Sequence, residues 1–199
     1  MKKIIIGFFG PKGAGKTTMA REASKEAVAH LIFPAYRFSF ADPIRDMLRA
    51  LGVPQTYLDR TVDKNQPIDL LGGKTFRDAA TTLGTEWGRD LIDPDLWVRV
   101  MERRINEVPN GLILIDDVRM KNEADMLKRL GAKLVRVMRE IRLNDPEATA
   151  KLLAEQPTPP QHRSEAEWMD FDPDYMVIND GETSKGFRQL VQYLQFLQV

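Results

Sequence analysis

Cysteine is absent from all 199 residues. That excludes disulfides, thiolate nucleophiles and thiolate-bound metals together, and it suits a reducing compartment such as the cytoplasm. Net charge is absent too, since 29 basic residues face 29 acidic ones. With no global field to gather nucleic acid, any anion site must be built locally, and no nucleic-acid partner is expected. No apolar run approaches the roughly 18–20 residues needed to cross a bilayer, so no membrane partner is expected either. The start Met1-Lys2-Lys3 leads into an apolar stretch, but that stretch ends at Gly10-Pro11-Lys12 with no small-residue cleavage site, and it is not read as a secretory leader. Histidine occurs only twice; His162 has no second His or Cys near it and is not read as a metal ligand. There is no internal repeat, and the length suits one α/β domain with excursions.

What the chain does have begins at its N-terminus. Ile4-Ile5-Ile6-Gly7-Phe8-Phe9 is a β-branched and aromatic run, followed by Gly10-Pro11-Lys12-Gly13-Ala14-Gly15-Lys16-Thr17-Thr18. Gly10, Gly13, Gly15, Lys16 and Thr17 satisfy G-x-x-x-x-G-K-[ST], a loop whose backbone N–H groups wrap phosphate oxygens. In that pattern the lysine, Lys16, reaches the outer phosphates and the Thr17 hydroxyl sits on magnesium. The motif needs a strand before it and a helix after it. Lys3–Phe9 is strand-like, and Thr18–His30 is rich in helix formers without Gly or Pro, so the helix N-terminus faces the same anion.

Further along, Tyr36–Phe40 alternates aromatic and polar residues and predicts a short strand. Asp42-Pro43 predicts a helix start with the aspartate as N-cap, and Ile44, Met47, Leu48 and Leu51 form an apolar stripe up to Gly52. Asp42 is open to capping and to catalysis alike. Residues 52–73, with their prolines and Gly72-Gly73, show no period and read as a mobile connection. Thr75-Phe76-Arg77-Asp78 predicts a cap and first turn, with Gly84 as the stop. The block Gly84-Thr85-Glu86-Trp87-Gly88-Arg89-Asp90 is dense in groups able to bind a ligand. Asp93-Pro94 opens another helix, with Leu96, Trp97, Val100, Met101 and Ile105 turned to a core. Trp97 reads as core, whereas Trp87 is open to stacking on a base.

Leu112–Ile115 is a buried-strand pattern ending in Asp116-Asp117, at the end of a parallel strand where α/β proteins bind ligands. These carboxylates are either magnesium-related, with Asp117 the one assigned, or strand-end hydrogen-bond anchors, and Asp117 is close enough in sequence to orient Arg119. A helix over Glu123–Leu130, a strand over Lys133–Met138, a strand over Tyr175–Ile178 and an amphipathic final helix complete the alternation. The architecture expected is α/β: a parallel sheet covered on both faces.

The segments GPKGAGKTT, FADPIRDML, FRDAATTLGTEWGRDLIDPDLWV, IDDVRMKNEADMLKRLGAKLVRVMR, HRSE and VINDG, in that order, resemble the bacteriophage deoxynucleoside monophosphate kinases of the P-loop nucleoside monophosphate kinase superfamily. The resemblance implies a three-layer P-loop kinase fold, five parallel strands with the loop strand central, within a single domain 1–199. Its core would be about 1–52, 111–139 and 172–199, its monophosphate-binding excursion about 53–110 and its lid about 140–171. It implies transfer of the ATP γ-phosphoryl group to a deoxynucleoside 5′-monophosphate, dGMP, dTMP or a dCMP type, with Mg2+. By motif position, Lys12, Gly13, Ala14, Gly15, Lys16, Thr17 and Thr18 hold ATP. Arg77, Glu86, Trp87, Arg89 and Asp90, with Asp42 and Arg119, hold the acceptor; Arg163 joins them, and it and Arg142 in the lid rest on chemistry more than on matching. Lys16, Arg119 and Arg139 act on the transferring group, and Thr17 and Asp117 on the metal. A homodimer and a host-cell cytoplasm are in keeping with the resemblance. Two alternatives stay open: a P-loop kinase of another small acceptor, such as dephospho-coenzyme A or phosphomevalonate, with Asp42 as base, and a nucleotide-gated binding module.

Overall fold

The computed structural model describes residues 3–30, 34–59, 61–139, 167–179 and 183–197, with side chains throughout except at 28–30 and 183–187. In chain order the elements are β1 (Lys3–Phe9), α1 (Lys16–His30), β2 (Ala35–Phe38), α2 (Asp42–Ala50), α3 (Gln55–Leu58) and α4 (Phe76–Thr81). Next come a π-helix (Thr82–Ile92), α5 (Leu96–Glu107), β3 (Gly111–Ile115), α6 (Lys121–Arg129), β4 (Lys133–Arg139), β5 (Tyr175–Asn179) and α7 (Thr183–Leu197). They form two compact units, one of residues 1–38 and 108–199, the other of residues 39–107. Among the described residues no helix is long and apolar enough to cross a membrane.

The first unit is the expected α/β sheet. Its five strands run in the order β2-β3-β1-β4-β5, every pairing parallel, with the loop-bearing strand in the centre. Because side chains alternate across a strand, the two faces have separate cores. Ile6, Phe8, Leu112, Leu114, Val135, Val137 and Val177 pack against Met19, Ala20, Ala23 and Ala27 of α1 and Leu190 and Leu194 of α7. The run of alanines lets α1 approach the sheet closely. On the other face Gly7 leaves room for α6: a Cβ there would stand 2.9 Å from Leu127 Cδ1 and 3.1 Å from Val118 Cγ2.

The second unit departs from the sequence reading in several places. The strand expected to reach Phe40 ends at Phe38, because Ser39 turns the chain. Its N–H donates to Asp42 Oδ2 at 2.7 Å and its carbonyl accepts from the Asp42 N–H at 3.0 Å. Asp42 is therefore the first residue of α2 and not its N-cap, which is Ala41. The stretch expected to be mobile is structured, with α3, a 3-10 turn at Asp69–Leu71 and a bridge between Pro67 and Thr75. Thr75 does cap α4, through a reciprocal box in which Asp78 N–H donates to Thr75 Oγ1 and Thr75 N–H to Asp78 Oδ2.

Gly84 does not stop this helix. The chain continues as an 11-residue π-helix, a geometry rare in proteins at this length. The cause is packing: Trp97 lies under it, 3% exposed, and its indole N–H donates to the Gly84 carbonyl at 2.7 Å. A Cβ on Gly88 would stand 2.5 Å from the rigid Trp97 ring, which makes that glycine a steric requirement, while one on Gly84 would stand 2.8 Å from Ile44 Cδ1 and displace the tip of that side chain. In α5 the buried valine is Val98, alongside Trp97, Met101 and Ile105, while Val100 is half-buried.

Candidate active site

The centre of the first unit is the loop between β1 and α1. Strand β1 is flanked on both sides, by β3 and β4, so its C-terminus is held where Gly10 turns away. Gly10 has φ +129° and a Cβ there would fall 2.3 Å from the Val137 carbonyl oxygen; no other residue fits. The loop then enters α1, with Met19 N–H donating to the Gly15 carbonyl at 2.9 Å. Lys12, Gly13 and Thr17 are exposed, Gly15, Lys16 and Thr18 half-buried, and Ala14 is seated in the core beneath.

Lys16 reaches back across the loop, donating to the carbonyls of Gly10 at 2.8 Å and Pro11 at 2.7 Å. Burial, with the positive charge of Arg119 adding to it, lowers its pKa from the ordinary 10.5 to about 8, against the opposing pull of Asp116 and Asp117. An ammonium so placed is under-solvated and gains from a nearby polyanion. The two aspartates come directly after β3; Asp116 is buried and its N–H donates to the Phe38 carbonyl at 3.3 Å, while Asp117 is half-buried. The next turn is anchored by Val118 N–H donating to the Phe8 carbonyl at 3.2 Å.

Arg119 has an exposed side chain on a fixed backbone. Glu123, 2% exposed, accepts at Oε2 from the N–H of Arg119 at 2.8 Å and of Met120 at 3.1 Å. Sequence reading missed Glu123 because Met120 is no capping residue, though a glutamate three positions into a helix is itself a cue. Arg139 is exposed at the end of β4, in register with Asn179 at the end of β5. Lys16, Asp116, Asp117 and Arg119 thus come together, while Arg139 stands two strands from β3 at the same end of the sheet.

Arg163 and the lid arginine Arg142 lie outside the described residues, as do His162 and most of the proposed lid. The chain returns at Glu167, whose Oε2 accepts from Lys121 N–H at 2.8 Å. Arg136, which sequence reading passed over as a strand residue, holds the segment from Trp168 to Phe171 against the sheet. Its guanidinium lies 5.2 Å over the Phe9 ring and 5.9 Å over Trp168, and donates to the carbonyls of Met169 at 3.1 Å and Phe171 at 3.0 Å.

In the second unit Arg77 on α4 is exposed, as are Glu86, Trp87 and Asp90 on the π-helix. Arg89 is half-buried and its Nη1 donates to the Pro94 carbonyl at 3.4 Å. Trp87 is 37% exposed with its ring centroid 6.3 Å from that of Trp97, so it rests on the buried indole and keeps a free edge. Asp42 is committed: Oδ1 accepts from Arg45 Nη1 at 2.7 Å, and Arg104 lies 3.9 Å from Oδ2. Arg104 also binds Asp46 at 3.0 Å, tying α5 to α2.

Several known proteins are similar to this chain. One from Acanthamoeba polyphaga mimivirus, described as "Putative deoxynucleotide monophosphate kinase", is 30% identical over 149 residues, which span 68% of this chain and 74% of its own. No protein-family model matches. Among solved structures, the APS kinase of Mycobacterium tuberculosis in complex with AMPPNP and APS aligns over 98% of both chains with a TM-score of 0.54 at 12% identity. The protein TT1252 from Thermus thermophilus aligns over 99% of both with a TM-score of 0.50 at 18% identity. At these identities the structural likeness speaks for the fold alone.

Proposed function

The chain belongs to the P-loop nucleotide kinase family of its mimivirus relative, and from that premise we propose that it moves the γ-phosphoryl group of ATP to a deoxynucleoside 5′-monophosphate, giving the diphosphate. The observation that carries this reading is the cluster at one end of the first unit: a glycine loop at a helix N-terminus with an under-solvated Lys16, two carboxylates and Arg119 beside it. Such a cluster suits an anion of high charge, a polyphosphate above all.

An acceptor monophosphate has a second pKa near 6, so at neutral pH it is largely dianionic and attacks without a general base. The oxygen of the acceptor phosphate forms the new bond to the γ-phosphorus as the bond to the β,γ-bridging oxygen breaks, and the charge passes to ADP. What the protein supplies is alignment of two repelling anions and screening of the group in flight. Lys12 to Thr18 hold the ATP phosphates, with Lys16 on the outer ones; Arg119 and Arg139 carry positive charge to the transferring group. Arg77, Arg89 and Arg163 take the acceptor phosphate, Trp87 stacks on its base, and Glu86 and Asp90 offer acceptors to base or sugar. Asp42, locked by Ser39 and Arg45, serves the acceptor region as a structural anion and not as a base.

The donors assigned are hard oxygens, the Thr17 hydroxyl after the loop and the carboxylate of Asp117 after β3, the kind magnesium accepts alongside phosphate and water. When bound, Mg2+ neutralises phosphate charge; Thr17 and Asp117 are the residues assigned to hold it. The acceptor excursion is assigned to about 53–110 and the lid to about 140–171. The cytoplasm, of a host cell in the case of a viral chain, is the setting proposed.

The test is a panel of deoxy- and ribonucleoside monophosphates assayed by coupled ADP release with MgATP. Turnover with one or more of dGMP, dTMP and dCMP types supports the proposal. ATP hydrolysis that no monophosphate stimulates would sink it and leave a nucleotide-gated module.

A further inference from the structure

None of the roles above uses Asn179, yet it ties the edge of the sheet to the phosphate loop. It is the last residue of β5, 165 positions from Ala14, and its Nδ2 donates to the Ala14 carbonyl at 2.9 Å. The amide passes directly over Gly15: a Cβ built there would stand 2.3 Å from Nδ2 and 3.4 Å from Cγ. Gly15 has φ +95°, so glycine is required at this position twice, once by the backbone and once by the side chain lying on it.

The consequence lies in the peptide between Ala14 and Gly15. A trans peptide is planar, with its C=O and N–H pointing in opposite directions. Holding the Ala14 carbonyl toward β5 therefore aims the Gly15 N–H away from β5. Ala14 itself is immobilised, 1% exposed within the core. Gly15 is not, because glycine crosses between positive and negative φ with little penalty, and the plane can rotate about its flanking bonds. Without a partner for the carbonyl, the orientation of that N–H is left to the ligand. We propose that Asn179 is a positioning residue of the phosphate nest: acting through the Ala14 carbonyl, it pre-sets the Ala14–Gly15 peptide in the orientation that offers its N–H to a polyphosphate, in keeping with the general gain from preorganised donors. This rests on reading the loop as a polyphosphate nest, not on the identity of the acceptor.

The experiment compares wild type with Asn179→Ala and Asn179→Asp, using calorimetric titration with ATP and with inorganic tripolyphosphate, plus thermal unfolding. Asn179→Ala weakens both ligands by the same factor, about five- to tenfold for one hydrogen bond, with unfolding temperature little changed and the KM for the monophosphate unaltered. Asn179→Asp keeps the shape but sets an acceptor-only carboxylate against the carbonyl, and weakens both ligands further. Unchanged tripolyphosphate affinity in a folded Asn179→Ala protein overturns the proposal. So does a loss confined to ATP, which would make Asn179 a contact to the nucleoside. Should Asn179→Ala fail to fold, the near-isosteric and uncharged Asn179→Leu, which also lacks the donor, carries the same comparison. Wild type that binds neither ligand would remove the nest reading and this inference together; wild type that binds both yet phosphorylates no monophosphate removes only the proposed acceptor.

Discussion

Replacing Lys16 by methionine should stabilise the ligand-free protein while abolishing its turnover. Lys16 titrates at about 8 in place of 10.5 because burial and Arg119 disfavour its charged form. At about 1.4 kcal/mol per pH unit, the folded state carries that charge about 3 kcal/mol less readily than the unfolded chain does at pH 7. Methionine keeps most of the stem and lacks the charge, but the Gly10 and Pro11 carbonyls lose their donor, at about 1 kcal/mol each. The net is a gain of about 1 kcal/mol at pH 7, or roughly 2–4 °C in a chain of this size. The sign then changes with pH. Native Lys16 releases its proton near pH 8 and the unfolded chain only near 10.5, so between those values the unfolded state binds more protons and wild-type stability climbs. The advantage of Lys16→Met should shrink through that window and become a deficit of about 2 kcal/mol by pH 10.5. Urea unfolding of both proteins in EDTA without nucleotide, from pH 7 upward, measures the difference, in which all shared groups cancel. A difference that stays flat with pH, or a variant that gains on the wild type as pH rises, would refute the reasoning.

Arg119→Ala removes the second cause of the lowered Lys16 pKa, which shrinks the cost of the charge at every pH, so the pH at which Lys16→Met loses its advantage should move downward in that background, and phosphoryl transfer should fall by about 10²–10³; an unmoved crossing point would mean Arg119 is not close enough to matter. Glu123→Ala strands two N–H groups and should lower stability by about 2 kcal/mol while reducing turnover through a loosened Arg119; Glu123→Gln, which keeps an acceptor, should recover most of both, as read by urea unfolding and ADP release. Trp97→Phe leaves the Gly84 carbonyl without its buried donor and should lower stability by about 1–3 kcal/mol, and near-ultraviolet circular dichroism should report altered packing around Trp87. Gly88→Ala should be worse than its small size suggests, since the new methyl would stand 2.5 Å from the Trp97 ring; stability equal to wild type would show that the π-helix is not fixed by that contact.

The strands were readable because buried parallel strands are continuous apolar runs, and Ile4–Phe9 and Leu112–Ile115 are little else. The alternation of those runs with helix formers sufficed for a covered parallel sheet. What escaped was set by distant partners. The π-helix cannot be read from Thr82–Ile92 alone, because the indole that bends it lies past the next turn, at Trp97. Its two glycines carry the usual signature of a helix end, and only the steric demands of Ile44 and Trp97 show that they permit close packing instead. Asp42 was misplaced by one position because capping rules look forward into the helix, whereas this carboxylate reaches back to Ser39. The glycine turn between β1 and α1 was legible since its cue is local, glycines closely followed by one lysine. Asn179 was not, though a polar residue closing an apolar parallel strand was a usable signal.

A chain of zero net charge that handles two nucleotides, as proposed, has to concentrate positive potential locally, and the topology offers a way. Lys16 comes after β1, Arg119 after β3, and Arg139 ends β4, so three neighbouring parallel strands each deliver one cation to the same end of the sheet. Parallel strands make this unavoidable: all their C-termini point one way, whereas antiparallel neighbours would scatter the same residues between two ends. Asp116 and Asp117 arrive by the same route and hold Lys16 nearer its charged state than burial and Arg119 alone would allow. The site is thus near balance before any ligand binds, with cations that repel one another and carboxylates that only partly compensate. A polyphosphate relieves the repulsion between the cations and brings the excess negative charge that magnesium beside Asp117 would offset, so on this arrangement the two should bind more tightly together than the sum of their separate affinities. Calorimetric titration of ATP with and without Mg2+, in wild type and Asp117→Asn, measures that coupling; equal coupling in both proteins would remove Asp117 from the metal site.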